Sequence, residues 1–183
     1  MKVFLFLATG FEEIEAIGTV DILRRGGLDV TTVSITDELQ VLGTHNIPVS
    51  ADEMFENVDF SSGDLLVLPG GGSGSENLGS HDGLKNLLKQ YAGAGKKIAA
   101  ICAAPMVLGG LGLLQGKRAT CYPGYEETLR GATIVDAGVV KDGNIITGKG
   151  PGYTFDFALA LVAELQGQVK AGEVAAGLQW LTN

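Results

Sequence analysis

Strand-length apolar runs alternate with helix-length amphipathic segments along this chain, and no other feature narrows its possible folds as much. Lys2 to Ala8 reads as a first strand, Glu12 to Gly26 as a helix ending at Gly26-Gly27, and Asp29 to Ile35 as a second strand rich in β-branched residues. Asp64 to Leu68, the helix His81 to Ala94, the strand Lys97 to Ile101 and the helix Ala103 to Leu114 continue the order. Strands that are apolar on both faces, each followed by a helix, imply a parallel sheet covered on both sides. Gln40 to Leu42 and Pro48 to Ser50 predict a small hairpin excursion. Past Leu114 the pattern shortens to strands at Lys117 to Cys121, Thr133 to Val135, Gly138 to Val140 and Asn144 to Thr147, with Lys141-Asp142-Gly143-Asn144 as a hairpin turn. A closing helix carries Phe157, Leu161 and Leu165 on one stripe, and a last helix follows Gln168. No period repeats and no linker interrupts the pattern, so the 183 residues are expected to form one domain.

Charge and hydropathy exclude several classes of partner. A formal net charge of -8 opposes binding to nucleic acid or to an anionic membrane, because both are negative themselves. The apolar runs are too short to span a bilayer and no signal-peptide pattern opens the sequence, which predicts a cytoplasmic protein. In a reducing compartment Cys102 and Cys121 are expected to be free thiols. Two distant histidines, His45 and His81, lack metal-ligand spacing, so neither a metal nor a cofactor is expected.

Cys102 carries the chemical signal, because it stands where a strand turns into a helix. At such a corner a side chain projects from the carboxyl edge of the sheet toward unpaired backbone N–H groups of the first helical turn. Those donors and the helix dipole lower a thiol pKa from roughly 8.5 to about 7 or below. Pro105 fits the first turn, where its missing N–H has no intrahelical partner to lose. A small buried core residue is the competing account of the same cysteine.

In open α/β sheets the loops beyond the carboxyl strand ends converge, so those after Ala8, Leu68, Ile101 and Thr147 should meet around Cys102. Three carboxylates, Glu12, Glu13 and Glu15, crowd the first of them. Acidic residues in a first helical turn ordinarily answer the helix dipole, which accounts for Glu12 and Glu13. Glu15 falls one turn after Glu12 and faces the sheet edge if Ile14, Ile17 and Ile22 form the apolar stripe. A carboxyl buried beside a thiolate is held protonated and can donate to the sulfur. Gly70-Gly71-Gly72 reads either as a flexible positive-φ loop or as backbone that lets N–H groups approach an anion. Gly150-Pro151-Gly152 is a rigid turn, and Tyr122 offers a phenol to the same pocket or is an ordinary half-buried tyrosine.

Four segments together resemble the DJ-1/ThiJ/PfpI superfamily, on its DJ-1 and YajL side: Gly10-Phe11-Glu12-Glu13-Ile14-Glu15-Ala16, Val67-Leu68-Pro69-Gly70-Gly71, Ala99 to Pro105 around Cys102, and Gly150-Pro151-Gly152 with Phe155-Asp156-Phe157-Ala158. The resemblance runs the length of the chain in order. It implies a flavodoxin-like three-layer α/β/α sandwich with a mainly parallel sheet, usually a homodimer, and a cysteine nucleophile elbow. It places Cys102 as nucleophile, Glu15 as its protonated partner, and Gly71 with the Ala103 N–H as oxyanion donors, near Gly70, Tyr122 and Pro151. PfpI-like peptidases typically carry histidine after the cysteine; here it is Ala103, which disfavours peptidase chemistry. DJ-1-like members commonly have histidine before the proline where this chain has Tyr122.

The resemblance and the residues together predict a cysteine-dependent enzyme acting on small reactive carbonyls, glyoxalase-like without glutathione or deglycase-like, with Glu15 moving the proton. A redox sensor or chaperone is the alternative, since an exposed thiolate of low pKa oxidises readily.

Overall fold

The apolar residues of the first strand divide by parity, and that division sets up both cores. The computed structural model describes residues 1–180. In β1 (Lys2–Leu7), Val3, Leu5 and Leu7 enter one buried cluster while Phe4 and Phe6 enter the other. Successive side chains of a strand point to opposite faces, so an uninterrupted apolar run can only be satisfied between two layers.

After β1 come α1 (Glu13–Arg25) and β2 (Asp29–Ser34). The hairpin β3 (Gln40–Leu42) and β4 (Pro48–Ser50) and the short β5 (Glu53–Met54) follow, then β6 (Leu65–Leu68), α2 (Gly72–Ser80) and α3 (Asp82–Gly93). Next are β7 (Lys97–Ile101), α4 (Pro105–Gly110), β8 (Arg118–Ala119), β9 (Thr133–Ile134), β10 (Val139–Asp142) and β11 (Ile145–Gly148). The chain closes with α5 (Thr154–Gln166) and α6 (Gln168–Gly177); positions 181–183 of the expected single domain lie outside the described residues.

The seven-stranded sheet has the order β10-β11-β7-β6-β1-β2-β5, parallel except for the β10–β11 hairpin. Core residues of α1, α5 and α6 cover one face and those of α2, α3 and α4 the other, giving the flavodoxin-like three-layer sandwich. Strand order reverses between β1 and β6, which is where such sheets open a crevice for ligands. No helix among the described residues is long and apolar enough to cross a membrane.

Three expectations are corrected. The glycine-rich segment after β6 is a loop only as far as Gly71; helix α2 begins at Gly72. Helix propensity disfavours Gly-Ser-Gly-Ser, but packing of Leu78 and Ser75 into the core overrides it. The helix expected over Ala103 to Leu114 is only the six-residue α4, because Gly109-Gly110 weakens it and Gly112 turns left-handed at φ 73°. The strand expected over Lys117 to Cys121 shrinks to β8, which pairs with β9 in a separate two-stranded sheet.

The Phe157, Leu161, Leu165 stripe of α5 is buried as expected. At Gly148 an added Cβ would lie 2.9 Å from Phe157 Cδ2 and 2.8 Å from Ile101 Cγ1, so the ring fills the space a side chain there would need. Phe157→Ala should therefore lower the unfolding free energy by about 3–5 kcal/mol, read as a drop in the urea midpoint at unchanged slope.

Candidate active site

Cys102 has left-handed backbone, with φ 66°, immediately after β7. For a residue with a Cβ this costs on the order of 1–3 kcal/mol and persists only where the surroundings enforce it. Here its N–H donates to Gly148 O at 2.9 Å, and its carbonyl accepts from Tyr122 N–H at 2.8 Å. Ala104 N–H then closes a turn onto Ile101 O at 3.1 Å, and Pro105 opens α4 in the first-turn position anticipated for it. The side chain is thereby aimed off the carboxyl edge of the sheet. It is 8% exposed. Cys121, also free, belongs to the hydrophobic cluster on the opposite face of the sheet from Cys102.

Glu15 reaches this corner from α1. Its side chain has no solvent exposure, and Oε2 accepts from Gly70 N–H at 2.8 Å. Oε1 has no hydrogen-bond partner of ordinary geometry, and the carboxyl and the Cys102 thiol act directly on each other. Glu15 faces inward as expected, but of the expected apolar stripe only Ile22 does. The buried side of α1 is Glu15, Ala16, Thr19, Ile22 and Leu23, at helical spacing, whereas Ile14 and Ile17 are 57% and 45% exposed.

Glycine is required where the loops meet. A Cβ on Gly70 would lie 2.5 Å from Glu15 Oε2 and 2.6 Å from Cys102 Cβ, so this residue fills the wedge between carboxyl and thiol. Gly71, at φ 93°, would place a Cβ 2.2 Å from Gly10 O. The backbone N–H groups of Gly71 and Ala103 favour a negative charge on the Cys102 sulfur.

Burial raises the Glu15 pKa to about 7, helped by the nearby Glu12 charge and opposed by the bonds to Cys102 and Gly70. The thiol does not follow the expected direction. Burial, then the Glu15 charge, push Cys102 up to about 12 against the pull of the Gly71 and Ala103 N–H groups. Three physical reasons account for the correction: burial penalises the thiolate most, a carboxylate next to it penalises the second charge, and α4 is too short to supply much dipole. Groups coupled this strongly titrate as a pair. With one proton between them, the sulfur is anionic only when that proton sits on Glu15.

Residues 1–164 match the DJ-1/PfpI family. The chain belongs to it. Protein DJ-1 homolog B of Arabidopsis thaliana is 42% identical over 179 residues, which is 97% of this chain and 41% of that longer protein. The chain thus spans under half the length of that plant relative. A deglycase of Pyrococcus abyssi is 34% identical, over 83% of this chain and 92% of its own length. Among solved structures, a mutant DJ-1 superfamily protein of Salmonella typhimurium superposes with TM-score 0.95 at 41% identity, covering 99% of each chain.

In this DJ-1/PfpI protein the remaining candidate residues flank the thiol unevenly. Tyr122 is tied to Cys102 by its backbone N–H, and the residue is 45% exposed, with Cδ2 3.0 Å from where a Gly150 Cβ would stand. Pro151 begins a 3-10 turn in the adjoining loop and is half-buried. Sequence reasoning treated Glu12 and Glu13 only as dipole complements. Both are buried: Glu12 Oε2 accepts from Glu15 N–H at 2.8 Å, and Glu13 accepts His45 N–H at 2.7 Å with the His45 ring at 2.8 Å. Glu12, Glu13 and His45 offer ligand atoms within 4.8 Å of one another, but Glu13 is already bonded to His45 through both oxygens. Nothing in the sequence linked His45 to α1, because the contact is made across the β3–β4 hairpin. The acid at the capping position was the available signal for Glu12.

Gly70→Ala should force the carboxyl and thiol apart. The alkylation rate of Cys102 by iodoacetamide is expected to change roughly tenfold or more while far-UV circular dichroism stays native.

Proposed function

We propose that this protein is a cysteine-dependent enzyme acting on small α-oxoaldehydes, with Cys102 as nucleophile and Glu15 as the acid and base. The observation that carries the reading is a fully buried glutamate with a pKa near 7 against a thiol on a strained strand-to-helix corner. A relative named as a deglycase supports an enzymatic reading.

With the dyad proton on Glu15, the thiolate attacks the aldehyde carbon of methylglyoxal. A C–S bond forms and the carbonyl π pair moves to oxygen, beside the Gly71 and Ala103 N–H groups. Glu15 gives its proton to that oxygen, producing a hemithioacetal. As carboxylate, Glu15 then removes the proton from the former aldehyde carbon and returns it to the adjacent carbon, while the hydroxyl proton passes to the oxygen of that adjacent carbon. The product is a lactoyl thioester. Water cleaves it to lactate and regenerates the thiol, so the balance is methylglyoxal plus water to lactate and a proton, with no external oxidant or reductant. Ala103 leaves no histidine beside the nucleophile, and proton transfer falls to Glu15.

Lactate formation from methylglyoxal with glutathione absent is the test. Wild type should turn over, and Cys102→Ala and Glu15→Gln should each lose about 100-fold or more in kcat/KM. The wild-type rate should rise with pH through about 7, where the dyad loses its first proton. No wild-type turnover, together with selective peroxide oxidation of Cys102, would favour redox sensing instead.

The protein acts as a homodimer in this reading. Ile14 and Ile17 of α1 and Ile47 of the neighbouring hairpin leave large apolar side chains at 57%, 45% and 51% exposure, an arrangement that calls for a covering surface. Sedimentation should show a dimer, and Ile14→Glu/Ile17→Glu should shift it to monomer with the fold intact.

A further inference from the structure

Three hydrogen bonds close a ring beneath the Cys102–Glu15 pair. Glu12 N–H donates to Gly70 O at 2.9 Å, Gly70 N–H donates to Glu15 Oε2 at 2.8 Å, and Glu15 N–H donates to Glu12 Oε2 at 2.8 Å. Glu12 is therefore both the cap of α1 and the strut between that helix and the loop that carries Gly71. It is a buried acid, which is unusual for a cap whose commoner side chains are neutral or short.

The charged and titratable groups around Glu12 come from three elements. Glu13 and Glu15 lie in its own turn, His45 approaches from the β3–β4 hairpin with Nδ1 3.9 Å from Glu12 Oε1, and Cys102 stands beyond Glu15 at the end of β7. His45 is bonded to Glu13 rather than to Glu12, and its side chain is 67% exposed, so water screens whatever charge it carries. The Glu12 carboxylate thus lies close to the buried Glu15, with the exposed His45 ring, 3.9 Å from its Oε1, as its ion-pair partner. Its charge helps to hold the Glu15 pKa up.

We propose that Glu12 is a positioning residue for the pair: its carboxylate holds the Glu15 backbone through the cap and, by repulsion, raises the share of the form in which the proton sits on Glu15 and the negative charge on Cys102. A singly protonated pair has two forms, thiolate with carboxylic acid and thiol with carboxylate. A negative charge in the cap of the turn that carries Glu15, with Oε2 2.8 Å from Glu15 N, disfavours the second form. The inference rests on reading Cys102 and Glu15 as a dyad but not on the carbonyl reaction. Thiol alkylation measures it directly, so a failure of turnover and a failure of this coupling are separate results.

Glu12→Gln keeps an acceptor for the Glu15 N–H and removes the charge; Glu12→Ser does the same with a side chain that caps helices well. Melting temperature and far-UV circular dichroism establish that each variant is folded. Alkylation of Cys102 by iodoacetamide is followed by peptide mass spectrometry from pH 5 to 10, in the wild-type background and in Glu15→Gln. In both charge-removing variants the rate at pH 7 should fall about three- to tenfold, with reactivity recovering only toward alkaline pH. In the Glu15→Gln background the same replacements should change the rate by less than about twofold. The sign separates the mechanisms. Were Glu12 to act on the sulfur itself, removing its charge would speed alkylation at pH 7. An unchanged or faster rate, or an equal fall without Glu15, overturns the proposal.

Discussion

A carboxyl group with no exposed surface and no cation beside it must remain largely neutral or be held by donors, because an isolated charge cannot be left in an apolar interior. Glu15 meets that condition with one backbone donor, Gly70 N–H, and a thiol. Everything around it follows from the compromise. Gly70 has no side chain because the space belongs to the carboxyl and to Cys102. Gly71 is left-handed against the Gly10 carbonyl, and its N–H favours a negative charge on the sulfur. Cys102 itself is held in backbone strain by bonds to two neighbouring segments.

The same condition explains why the two acids of the dyad are treated unequally. Both are pushed up by burial, the thiol further than the carboxyl; against that, two backbone N–H groups support a negative charge on the sulfur, while Gly70 N–H supports one on Glu15 and the Glu12 charge opposes it. Donors at the sulfur and a repelling charge at the carboxyl act in one direction on a proton that can occupy either group. The arrangement is assembled from β1, β6, β7 and β11, four adjacent strands whose carboxyl ends meet at the reversal of strand order. A parallel sheet places loops that are distant in sequence at one edge, so Glu15, Gly71, Cys102 and Gly150 converge without any local motif joining them.

How much of this could be read in advance depended on the kind of force involved. The strands β1, β6 and β7 are continuous apolar runs, and runs of that kind report burial on two faces. The hairpins and α5 were equally plain, through turn residues and a helical stripe. Helix α2 was hidden because its first residues, Gly-Ser-Gly-Ser, have poor intrinsic helix propensity; it forms because Leu78 and Ser75 are packed beneath it. Ile14 and Ile17 misled for the opposite reason. They look like core residues by type, but helix geometry turns Ala16, Thr19, Ile22 and Leu23 inward instead, and a surface isoleucine is indistinguishable from a buried one until the helix is docked.

By itself the sequence determined the layer order, the family, and the identity of the thiol and the carboxyl, because periodicity, strand-to-helix punctuation and four ordered motifs are local properties of the chain. Only the tertiary structure decided what those groups are like. Whether a thiol pKa falls or rises depends on the balance between a six-residue helix, two N–H groups, desolvation and a neighbouring carboxylate, and each of these is a distance or a burial rather than a residue type. The roles of Glu12 and of the Glu13–His45 pair belong to the same class: they arise from contacts between α1, the Gly70 loop and the β3–β4 hairpin, and no spacing within the chain announces them.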